Sequence, residues 1–181
     1  MSRLLKRFPG WAQILPVYAV IALIVYAWTL LWFFWRVPGW LAYLNVGDIL
    51  GTLVYLFATN LAESLLVLGG VLALAAILPG HWFRDVFVPR GVSLCIAGLG
   101  YLMFLADRFK NKINYPALPL AAWTVPVALL AIAVIVYACG RFAAVRRVLE
   151  AVADRATIFV YILVPLSILS LAVILINSVT R

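Results

Sequence analysis

From residue 49 to residue 78 the sequence has one charged side chain, Glu63, in a run of Leu, Val, Ala, Ile and Gly otherwise suited to a bilayer. A helix needs about 20 apolar residues to cross the hydrocarbon core. Every window of that length within the run contains Glu63, so no shift along the membrane normal removes the carboxyl group from the hydrocarbon. An ionisable group there is costly and must be sheltered by protein or water.

The same reading extends to the whole chain. Of its 181 residues 67% are hydrophobic and 11% charged, far from the usage of soluble domains. The 14 Lys and Arg against 6 Asp and Glu leave a net charge of +8. These basic residues sit in short flanks between apolar runs, which suits topology setting and contact with anionic lipid rather than nucleic acid. Cys95 and Cys139 both fall in apolar runs and His81 is the lone histidine, so no cofactor motif and no metal-ligand spacing is present.

The predicted fold is all-α, a polytopic integral membrane protein with five transmembrane helices at about residues 11–35, 49–78, 88–106, 118–139 and 156–179. Arg3, Lys6 and Arg7 precede a first run of 25 residues without a charge. That is about twice the apolar core of a secretory signal, and a retained helix is expected. Trp28, Trp32, Phe33, Phe34 and Trp35 at its far end form an aromatic belt, with a turn expected at Pro38-Gly39. The second run is long for one span, and Gly69-Gly70 offers a place to break it.

The third segment is the shortest, and four spans with this piece re-entrant or interfacial form the rival arrangement. Its Gly91, Ser93, Ala97, Gly98 and Gly100 give a small-residue surface for close helix contact. Residues 141–155, with Phe142, Val145, Leu149 and Val152 opposite Arg146, Arg147, Glu150 and Asp154, read as a separate amphipathic helix on the membrane surface. With the N-terminus cytoplasmic and the C-terminus outside, nine basic residues lie inside and five outside. The four-span rival gives the same split, so within a multi-pass cell-membrane protein the preference for five spans, with the C-terminus outside, rests on the affinity of the basic amphipathic helix for the cytoplasmic leaflet.

At about 100° per residue, Asp48, Thr52, Tyr55, Thr59 and Glu63 share an arc of roughly 80°, with Asn60 to one side. Such a stripe is expected to face other helices or a hydrated cavity. Glu63, Asn60, Thr59, Thr52 and Tyr55 are therefore the candidate intramembrane polar site. The named hydrogen-bonding partners for Glu63 are Asn60, Tyr26, Thr29, Tyr101, Thr124, Tyr161, Ser167 and Ser170. His81, Arg84, Arg90, Arg146 and Arg147 are candidate headgroup contacts.

Three functions follow from this pattern. The first is a non-enzymatic membrane subunit that packs against itself or a partner complex through the polar second span and the small-residue third span. The second is a small transporter or channel component using Glu63 for protons or ions. The weakest is a lipid-modifying enzyme built on His81, Asp85 and Arg90, for which no nucleophile or metal motif is present.

Overall fold

The computed structural model describes residues 9–78, 83, 86–109 and 117–179, without the side chains of residues 109, 117–123 and 179. Five helices account for nearly all of them: α1 (Trp11–Trp40), α2 (Val46–Ile77), α3 (Phe87–Phe109), α4 (Ala117–Arg141) and α5 (Ala143–Val179). All five are long and apolar enough to cross a membrane, the architecture of a multi-pass membrane protein.

The first helix is the centre of the bundle. Val17, Tyr18, Ala19, Val20, Ile21, Ala22, Val25 and Tyr26 are all buried, on every side of two consecutive turns. A helix that is apolar all round belongs inside, and α1 packs against α2, α3 and α5 at once. On α3, Gly91 permits the close approach: a Cβ there would come within 3.1 Å of Val17 Cγ2. The α4 helix leans on α3 and touches α5 only lightly.

Several boundaries differ from the sequence reading. The turn expected at Pro38-Gly39 falls later, because α1 continues through both residues to Trp40. The chain then turns on Trp40, whose carbonyl accepts the N–H groups of Tyr43 at 3.0 Å and Leu44 at 2.7 Å. Pro38 has no N–H to give the carbonyl of Phe34, so the helix loses one hydrogen bond just before its end. Gly69 and Gly70 do not break α2. Both lie within its 32 residues, where helical neighbours on either side outweigh a propensity penalty of about 1 kcal/mol per glycine.

The third segment is a helix of 23 residues, about 35 Å at 1.5 Å per residue, so its length fits a span. Pro89 sits in its first turn, where a missing N–H is tolerated, and this lets the helix start at Phe87. The largest correction concerns residues 141–155. Instead of a separate surface helix followed by a span, residues 143–179 form one continuous helix of 37 residues. No glycine or proline occurs between Ala143 and Val164, so nothing in the chain stops propagation from the amphipathic part into the apolar part. Residues 143–148 are exposed on all sides, and burial begins near Leu149 and Ala153. The basic turn therefore stands clear of the bundle, and Arg146 Nε pairs with Glu150 Oε1 at 3.7 Å, both about half exposed.

Candidate functional site

The polar residues of α2 divide between two environments. Asn60 and Ser64 are buried, at 1% and 0% exposure. Asn60 Nδ2 donates to Thr29 Oγ1 on α1 at 2.6 Å, and Thr29 passes its own proton back to the carbonyls of Val25 and Tyr26. One turn further along, Ser64 Oγ lies 3.4 Å from Tyr18 Oη while bonding the carbonyl of Leu61.

Between α1, α2 and α5, Tyr26 Oη lies 2.6 Å from Ser167 Oγ and 3.4 Å from the Phe57 carbonyl. Ser167 donates in turn to the carbonyl of Leu163 at 2.8 Å. The Tyr26 ring also meets Phe57, with centroids 5.6 Å apart. Three helices are thus joined by hydroxyls and one amide, each with a protein acceptor, in an interior where an unsatisfied polar group would cost several kcal/mol.

The remaining stripe residues face outward. Thr52, Tyr55, Thr59 and Glu63 are exposed on the flank of α2, so of the two settings expected for the stripe, other helices or a cavity, helices of this chain do not cover it. Thr52 Oγ1 and Thr59 Oγ1 each donate to the carbonyl four residues earlier, at 2.9 Å. This local bonding satisfies a hydroxyl without a neighbour, which explains how threonines stay on an open face. Asp48 acts at the helix start, where its Oδ2 accepts the Asn45 N–H at 3.3 Å, as a carboxylate at a helix N-terminus does. Tyr55 and Thr52 border a polar cleft of about 580 Å³ between the start of α2 and the end of α5, with Asp48, Asn177 and Ser178.

Glu63 lines a hollow of about 250 Å³ with Val25, Trp28 and Thr29 of α1, Leu66 and Val67 of α2, and Leu99 and Met103 of α3. The two walls stand apart, since α2 and α3 each pack on α1 far more than on one another. Trp28 and Thr29 continue into a second hollow of about 380 Å³ bordered by Trp32, Arg36, Trp40 and Thr52. Together they form one groove along α1, open at the bundle surface, with Glu63 near the middle of α2. Among the described residues no side chain hydrogen-bonds Glu63. Four of the partners expected for it, Asn60, Tyr26, Thr29 and Ser167, serve the interior clamp instead.

The headgroup candidates scatter. His81 and Arg84 lie outside the described residues, as does Asp85, and from Phe87 onward the stretch expected as a loop is already part of α3. Arg90 lies against α4, where a Cβ on Gly140 would collide with its side chain. This places its charge beside the last turn of α4, the negative end of that helix's dipole. Arg146 and Arg147 are on the protruding turn of α5. The small residues of α3 also divide: Gly91 and Ser93 are buried within the chain, whereas Gly98 and Gly100 have open space where a Cβ would stand.

Tyr18 and Ser64 are clamp members that the sequence reading left out. Ser64 lies four residues after Asn60, on the same face of α2, and that spacing was the available signal. The chain matches no family model, no curated protein and no solved structure at a significant level.

Proposed function

We propose that the protein is a non-enzymatic integral membrane subunit that assembles laterally, with itself or with a partner complex, through the groove between α2 and α3. The observation that carries this reading is the position of Glu63. A carboxyl group halfway along a spanning helix, on an open face and without a bond to any described residue, is costly against lipid and is relieved by a neighbouring protein surface. The interior polar residues bond one another across α1, α2 and α5, which favours a structural clamp over a path for ions. In this assembly the N-terminus is cytoplasmic, the C-terminus is outside, and Arg146 and Arg147 meet anionic headgroups of the inner leaflet.

Purification in mild detergent tests the assembly. The expected result is a defined oligomer or a stoichiometric complex that Glu63→Leu weakens. A chain that is monomeric in its own membrane and has no stoichiometric partner would refute the proposal. Proton flux in liposomes that is abolished by Glu63→Gln at unchanged assembly would replace it with a transport function. Reporter fusions after Ser178 that read as external support the orientation, and cytoplasmic readings overturn it.

A further inference from the structure

We infer that the occupant of the α2/α3 groove is a second copy of this chain, entering with the outward face of its α5 so that Tyr161 meets Glu63. The inference rests on the assembly reading above and names the surface that meets the groove.

Depth is the first argument. Tyr26 Oη touches both the Phe57 carbonyl of α2 and Ser167 Oγ of α5, which sets those two residues at one level of the bundle. The helices run antiparallel here: Asp48 and Thr52 share a cleft with Asn177 and Ser178, while Leu61 and Leu68 share one with Val160 and Ile168. From the common level, Glu63 is six residues onward along α2, and Tyr161 is six residues back along α5. Both steps descend about 9 Å in the same direction. Two copies inserted with the same orientation therefore present Glu63 and Tyr161 at the same depth.

Chemistry is the second argument. Tyr161 is 71% exposed, on a face that also shows Ile158 at 65%, Ile162 at 59% and Leu169 at 63%. A phenol pointing away from its own bundle at mid-membrane needs an acceptor, and a carboxyl group accepts a hydroxyl proton whether or not it is itself protonated. The same spot on α5 also lacks one of its regular helical donors. Pro165 lies inside the helix and has no N–H to give the carbonyl of Tyr161 four residues earlier. The 250 Å³ hollow at Glu63, walled by Leu66, Leu99 and Met103, suits one aromatic side chain. A copy's own Tyr161 does not fill its own groove: the hollow is lined by α1, α2 and α3 residues and by none from α5. The contact is therefore heterologous, groove to α5 face, and propagates to a ring or a row.

The test uses the full chain in liposomes, in a Cys95→Ala, Cys139→Ala background, with Leu66→Cys on one population and Ile162→Cys on another. The mixed population is expected to form an intermolecular disulfide, and neither population alone is. Glu63→Leu on the groove partner, or Tyr161→Phe on the other, should weaken the association about 3- to 30-fold, the weight of one interhelical hydrogen bond. Glu63→Gln, which keeps an acceptor, should retain most of it. Both residues are exposed in the single chain, so these variants leave its fold intact. Disulfides between two Leu66→Cys copies, or equal cross-linking with and without Glu63 and Tyr161, would overturn the inference. If the mixed pair stays unlinked while a Leu130→Cys probe on α4 links copies, assembly stands and this docking mode falls. Absence of links at every position, together with a monomer in the native membrane, would fell both.

Discussion

Replacing Asn60 and replacing Glu63 should have opposite consequences for the single chain, although the two lie three residues apart on α2. Asn60 is buried and holds Thr29 of α1 at 2.6 Å. Leucine at that position fills a similar volume and removes the one bond. Thr29 keeps its donation to the carbonyls of Val25 and Tyr26, so no orphan donor is created and the loss is that of one interhelical hydrogen bond, about 0.6–2 kcal/mol. Asn60→Ala adds a cavity between α1 and α2, for a total of about 2–4 kcal/mol.

Glu63, by contrast, lies on an exposed flank. Glu63→Leu should leave monomer stability unchanged or raise it, since an apolar side chain replaces a lipid-facing carboxyl and no bond within the described residues is lost. Unfolding in bicelles, measured at a dilution where the chain is monomeric, gives both values. A Glu63→Leu chain that is destabilised as much as Asn60→Ala would refute the assignment of the carboxyl to the open face. An Asn60→Leu chain as stable as the parent would refute the clamp.

The other expectations are narrower. The hydroxyl pair Tyr26 and Ser167 should show a coupling of about 0.6–2 kcal/mol in a double-mutant cycle of Tyr26→Phe and Ser167→Ala, read from the same unfolding assay. Gly91→Leu should disrupt α1 against α3, because even a Cβ meets Val17 at 3.1 Å, whereas Gly98→Ala has open space and should stabilise α3 by up to about 1 kcal/mol; thermal stability in detergent distinguishes them. Arg146→Ala should alter stability by no more than about 0.5 kcal/mol, since its Glu150 partner is equally half exposed and such pairs are weak. The same substitution combined with Arg147→Ala should reduce partition of an isolated peptide of residues 141–155 onto anionic vesicles about tenfold or more, at roughly 1 kcal/mol per basic residue.

How much of this was readable from the residues follows from the range of the forces involved. Long uncharged runs bounded by basic clusters identify spans because hydrocarbon acts on every residue in the same way, and α1 to α5 lie where those runs are. Helix ends depend on one or two local bonds. The capping carboxylate of Asp48 and the chain reversal at Trp40 therefore moved boundaries that hydropathy could not place, and the missing breaker between Ala143 and Val164 merged two expected helices into one.

The polar site was legible as a position on α2 and not as a direction in space. A helical wheel puts Asn60 and Glu63 about 60° apart, and whichever neighbour packs on α2 draws its contact edge between them or to one side. Here α1 supplies Thr29 opposite Asn60 and Tyr18 opposite Ser64. That turns the amide face inward and carries the carboxyl past the edge, over the groove beside α3. At the level of Glu63, α1 presents Val25, Trp28 and Thr29 to the groove, and the hydroxyl among them already holds Asn60. The costliest side chain of the bundle is left at the seam where α2 and α3 fail to meet, and a seam of that kind is where the next helix gains most by binding.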